Sequence, residues 1–136
     1  MQRRRADGRR DRVHDGAITA IALHNDPAAD AALDRLMAPA QPEAVRKKVT
    51  FWLGNARGAH GLATLRRVLK DDPSAEVQKS AVFGVSQSRE AGAFDMLLTL
   101  ARSDPSPRIR GEALFWIAQK AGQKAERRAS AGMAGL

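Results

Sequence analysis

Catalysis and metal binding need nucleophiles, acid–base groups or metal ligands brought together, so the residues able to do that come first. The chain of 136 residues has no cysteine. That removes thiolate metal sites, a cysteine nucleophile and disulfide staples. His14, His24 and His60 are dispersed, without HExxH spacing. His14 and His24 stand ten residues apart on one predicted helix, too far for a single metal ion. Asp71 and Asp72 are adjacent but immediately precede Pro73, where a turn or a cap is the expected role. No serine sits in a recognisable nucleophile turn, and no glycine-rich phosphate loop is present. The chain is therefore expected to be non-enzymatic, with no catalytic residues, no cofactor and no metal.

The formal net charge of +8 points first to a polyanion. Its distribution changes that reading. Residues 1–12 carry a balance of +4 and residues 119–136 a balance of +3, leaving +1 for everything between. The body is nearly neutral and the ends are basic, so weak, non-specific polyanion contact is expected from the tails alone. Aromatic residues are 4% of the chain and there is no tyrosine, which disfavours a stacking platform for single-stranded nucleic acid. No stretch approaches the ~20 apolar residues of a membrane span. The apolar run at 17–23 is broken before and after by His14-Asp15 and His24-Asn25-Asp26, so it reads as a helix and not a signal peptide. A cytoplasmic location is the expectation.

What positions the side chains is a repeat of 32 residues. Glu43–Ala56, Ala75–Ser88 and Pro107–Lys120 align in kind along their length. Val45, Val77 and Ile109 match, as do Phe51, Phe83 and Phe115, and Leu53, Val85 and Ile117. One step upstream, Val13, Ala17 and Ile21 keep the phase. A second block follows each of the first three, with Leu33, Leu65 and Leu97 aligned. Within blocks the apolar residues recur at i, i+4, i+7 and i+8, the spacing of one helical face. Breakers separate them, including Asp72-Pro73-Ser74, Asp104-Pro105-Ser106-Pro107 and Gly58. Ser74 and Ser106 are predicted N-caps, and Gly58 a left-handed helix end. Paired short helices bury their apolar faces only by stacking. The expected fold is an all-α solenoid of about three and a half antiparallel helix pairs. A basic tail spans 1–12. The units fall at about 13–42, 43–74, 75–106 and 107–122, the last of them partial. Residues 123–136 form a second basic tail, expected to be poorly ordered because Glu126, Ala129 and Gly132 stand where Phe94, Leu97 and Leu100 would be echoed.

The period also picks out polar positions. Asn55, Gln87 and Gln119 recur at one phase, as a side-chain ladder between stacked helices or the lining of a groove, with stacking favouring the ladder. Trp52 and Trp116 are expected in packing between units. Arg46-Lys47-Lys48 opens a helix where its dipole disfavours cations, which invites a carboxylate or phosphate partner.

Asp72-Pro73-Ser74-Ala75-Glu76-Val77 and Asp104-Pro105-Ser106-Pro107-Arg108-Ile109 resemble the HEAT repeat, in the short bacterial form associated with phycobiliprotein lyases. The resemblance covers roughly residues 13–122. It implies a turn aspartate and an arginine after the first apolar helix position, which stack into ladders. Asp72 and Asp104 fit the first, Arg46 and Arg110 the second, and Gln78 departs from it. It also implies that second helices line the concave side, where Arg35, Arg66, Arg67 and Lys70 are candidate partner-binding residues. The function implied is a protein-interaction scaffold with an unknown protein partner, in a chain that is a fragment of a longer array or self-associates through uncapped ends. Nucleic-acid binding through the tails or second-helix arginines is the alternative, and a bilin lyase or chaperone role is the remoter one.

Overall fold

Local signals set the helix boundaries before packing contributes. The structure is a computed structural model and describes residues 15–134; the basic segment 1–12, His14 and the last two residues lie outside that range. Helix α1 covers 15–22 of the described residues. It is followed by α2 (Pro27–Leu36), α3 (Glu43–Ala56), α4 (Gly58–Asp71), α5 (Ala75–Gln87), α6 (Ala93–Ser103) and α7 (Pro107–Ala134). The Asp26 side chain accepts from the Ala28 N–H to start α2, with Pro27 in the first turn. Ser74 Oγ accepts from the Val77 N–H at the start of α5, and Ser106 Oγ from the Ile109 N–H at the start of α7. Gly58 has φ +54, a backbone conformation that side chains oppose, so α3 can turn into α4 with no intervening loop.

All described secondary structure is helical. The first helices of successive units pack on one another, α3 on α5 and α5 on α7, while α4 and α6 pack on their own partners and on the next unit. One core runs through the stack. Leu33, Leu53, Leu65, Val77, Val85 and Leu97 are fully buried in it, each at a predicted apolar position. This is the expected α-solenoid. No described helix is long and apolar enough to cross a membrane.

The last helix departs from expectation. α7 continues to Ala134, through the segment predicted to be poorly ordered from residue 123. The prediction rested on a missing apolar face, which governs whether a helix docks, not whether it forms. Residues 119–134 contain no proline and are rich in alanine, lysine, arginine and glutamine, all good helix formers. The docked first half of α7 supplies the costly nucleus, and the rest propagates from it. From residue 121 to residue 133 every side chain is exposed.

The spacing of the stack depends on glycine. A methyl placed on Gly54 would collide with the carbonyl of Gly84, and one on Gly84 would lie 2.6 Å from the Thr50 carbonyl oxygen. Gly54→Ala must therefore push α3 away from α5, and is expected to cost about 1–3 kcal/mol, as overpacked cores do. Gly111→Ala meets nothing within 4 Å and should stabilise by up to ~1 kcal/mol through helix propensity. Thermal unfolding of the two variants should move Tm in opposite directions.

Candidate functional site

The turns between units form one side of the molecule, and their polar residues are the first candidates. Arg46 is buried, and its Nε and Nη2 donate to Asp72 Oδ2 and Oδ1 at 3.1 and 3.3 Å. Its Nη1 donates to the carbonyls of Pro39 and Gln41. One guanidinium thus ties the turn before α3 to the turn before α5. Asp72 in turn accepts from the Ser74 N–H, which orders the residue that caps α5. The carboxylate invited by the cationic start of α3 is present, and Lys48 likewise meets Asp15 of α1.

Among the described residues the tie occurs once. Gln78 takes the place of Arg46 one unit on and donates to the carbonyls of Leu69 and Asp72, without reaching Asp104. Arg110 donates to the backbone carbonyl of Asp104 at 2.6 Å, not to its carboxylate, which holds the Ser106 N–H. The amides at Asn55, Gln87 and Gln119 are exposed and do not bond to one another. Asn55 donates back to the Phe51 carbonyl and Gln87 to Ser86 Oγ. The column that does join the units at this height is aromatic. The rings of Phe51 and Phe83 stand 6.1 Å apart, and those of Phe83 and Trp116 stand 4.7 Å apart. Trp52 and Trp116 both pack against the core from partly buried positions. The indole N–H of Trp116 is buried without a hydrogen-bond acceptor.

Two polar clusters have no counterpart in the sequence reading. Arg57, at the junction of α3 and α4, pairs with Asp30 at 2.6 Å and donates to the carbonyls of Ala22, His24 and Asp26. It closes the end of α1 and the turn into α2. Nothing in its phase marks it, since Asn25 and Arg89 align with it; the one signal is its place beside Gly58. His60 lies 2.9 Å from Asp34 of α2, and Thr64 donates to the other oxygen of Asp34 at 2.9 Å. The carboxylate comes from the neighbouring unit, so a search along one helix misses it.

The second helices face a groove. Between α2 and α4 lies a cavity of about 210 Å³ whose lining includes Asp34, Thr64 and Arg67. One unit on, between α4 and α6, lies its period mate of about 360 Å³, with Leu69, Met96 and Leu100 on its apolar side. Arg66, Lys70, Gln78 and Asp104 supply its polar lining. The four candidate cations divide here. Arg67 donates to Thr64 and faces Asp34 at 3.7 Å, so the arginine of the smaller cavity has a carboxylate beside it, and Asp71 and Asp72 add to the acidic lining. Arg66 and Lys70 are exposed, one helical turn apart, on the rim of the larger cavity, and neither forms an ion pair with a described residue. Arg35 stands apart from all three, beside a cleft between α1 and α2. Among the described residues no cluster of histidine, aspartate and glutamate could hold a metal ion.

Stacked helix pairs with a continuous core, polar ties in the turns and a groove along the second helices define a helical repeat scaffold. The family model for HEAT repeats matches residues 29–118, and the chain belongs to that family. No curated protein and no solved structure matches it.

The turn tie gives a sharp energetic expectation. Asp72→Ala leaves Arg46 buried and unpaired, and should cost about 3–5 kcal/mol. Asp104→Ala removes a half-buried turn contact and should cost about 1 kcal/mol, near the value of one hydrogen bond. Urea unfolding of the two variants measures both; equal losses would show that Arg46 does not depend on Asp72.

Proposed function

We propose that the chain is a protein-binding scaffold and that the groove between α4 and α6 takes a segment of its partner. The observation that carries this is the unequal pair of cavities related by the repeat. The smaller has its own carboxylate against its arginine, whereas the larger presents Arg66 and Lys70 unpaired above an apolar wall. An apolar pocket with a few converging polar groups is the usual form of a recognition site, and desolvated arginine is favoured at interface hot spots. Fold alone would not support this step, because repeat scaffolds of one architecture bind unrelated partners.

The test is affinity capture with the chain as bait, comparing wild type with Arg66→Glu/Lys70→Glu. Both residues are exposed, so Tm should stay within about a few degrees. Partners dependent on the groove should be lost at least tenfold, while Arg35→Glu retains them. A captured set indifferent to the double variant would refute the groove.

A second reading has its own observation. The basic C-terminal segment lies on α7, where Lys120, Lys124, Arg127 and Arg128 follow the i, i+4, i+7, i+8 spacing of one face. Such a stripe supports weak, sequence-independent contact with a polyanion. Binding to duplex DNA should fall with salt, with a slope of log K against log[salt] of about −0.9 per phosphate neutralised. Lys124→Glu/Arg127→Glu/Arg128→Glu should flatten that slope, and an unchanged slope would remove the stripe from consideration.

A further inference from the structure

The first helices have two packing faces, one toward the unit ahead and one toward the unit behind. Ile18, Thr50, Val82 and Leu114 share a phase of the 32-residue period on the forward face. The first three are 3%, 0% and 0% exposed, and Leu114 is 57% exposed. One turn on, Ala22, Gly54 and Ser86 are buried, and Ala118 is exposed. The backward face shows the converse. Val49, Ala81 and Ala113 are all 0% exposed, whereas Ala17 at the same phase is exposed, and so is Ala20, in phase with buried Gly84. Each face is therefore covered at every internal rung. Among the described residues the forward face lies open on α7 and the backward face on α1, and both are built of the residue kinds that are buried elsewhere.

We infer that copies of this chain associate head to tail, the forward face of α7 in one copy packing on the backward face of α1 in the next. The contact continues the established interface that runs from α3 through α5 to α7. At the α3–α5 rung of that interface the phase of Leu114 meets a small residue, as the Thr50 backbone meets Gly84, whereas Trp52 and Trp116 hold the position of Gly84 on α3 and α7. Ala17 and Ala20 offer the same low relief to Leu114, and an apolar cleft of about 470 Å³ opens beside them, lined in part by Ile21, Ala29 and Ala32. The phases that carry ions inside the stack bring no charge to the junction. Between internal rungs one pair of phases carries ions, Asp15 with Lys48 and Lys79 with Glu112. At the junction between copies those phases are Gly111 and Gly16, each with open space around it. Two glycines leave no charge to bury unpaired and let the backbones approach closely. The groove residues Arg66 and Lys70 take no part, so this inference stands or falls separately from the groove.

A contact between two different faces does not close on itself in a pair, so association should continue beyond the dimer. Sedimentation equilibrium of the chain should show an average mass that rises with concentration past two copies. Leu114→Glu blocks the forward face and Ala17→Glu the backward face, and each should sediment as a monomer with an unchanged helical circular dichroism spectrum. Mixed one to one, they should form a dimer and stop there, because each supplies the face that the other has lost. The two introduced glutamates repel, so the blocked faces cannot produce that dimer. A wild-type chain that stays monomeric at every concentration, single variants that associate like wild type, or a mixture that stays monomeric would each overturn the inference.

Discussion

The close approach of α3 to α5 governs the rest of the molecule. At the contact between Gly54 and Gly84 the two helices meet through backbone, with no side chain between them. Side chains that flank it are then forced into register: Thr50 and Leu53 on one helix, Ala81 and Val85 on the other, all fully buried. A lone pair of helices this short would leave one apolar side in water, where each buried leucine or valine forfeits about 1.5–3 kcal/mol. Stacking recovers that burial only if neighbouring units sit close, and two glycines set how close. The second helices inherit the spacing, since α4 packs on both α3 and α5. The groove along α4 and α6 is the space that this spacing leaves between them.

Polar ties reinforce the stack unevenly. The Arg46–Asp72 pair is buried and saturated by carbonyls and a turn N–H, so its desolvation is offset by bonds at nearly every polar atom. A pair of this kind contributes less to net stability than to uniqueness of register, because each partner is costly to leave alone. At the next rung the shorter Gln78 reaches the near carbonyls but not the far carboxylate. The turn there is held by the Ser106 N–H on the Asp104 carboxylate and by the Arg110 side chain on the Asp104 carbonyl, beside the larger of the two cavities.

Much of this was legible in the residues, and the division is physical. The period, the serine caps at Ser74 and Ser106 and the left-handed Gly58 all depend on local spacing or on likeness between equivalent units. A repeat displays both directly. Asn55, Gln87 and Gln119 show the limit of that logic. Equal phase places three amides at one height, but it does not place them on the face that touches a neighbour. Arg57 and the Asp34–His60 pair were hidden for the opposite reason. Their contacts join residues of different phase, so no alignment of the repeats brings them together. The end of α7 was misread because docking and helix formation obey different rules. Alanine and lysine sustain a helix in water that has nothing to pack against.

Function in such a scaffold must come from departures within the repeat, and one phase of the second helices shows how. Asp34, Arg66 and Leu98 occupy equivalent positions on α2, α4 and α6. Their backbones are interchangeable, so the fold places no demand on which side chain stands there. At α2 the aspartate satisfies Thr64 and His60 and faces Arg67, so the cation of the adjoining cavity is met from within. At α4 the arginine, joined one turn later by Lys70, leaves the next cavity cationic above an apolar wall. At α6 the leucine is half-buried and adds to the packing. One position thus turns from internal bond, to open charge, to core along three units. A repeat serving packing alone would have no use for the middle state, since unpaired cations one turn apart repel each other at a small cost to the helix. A carboxylate brought by another chain would remove that repulsion, and this is the physical ground for proposing the rung at Arg66 and Lys70 as the partner's site.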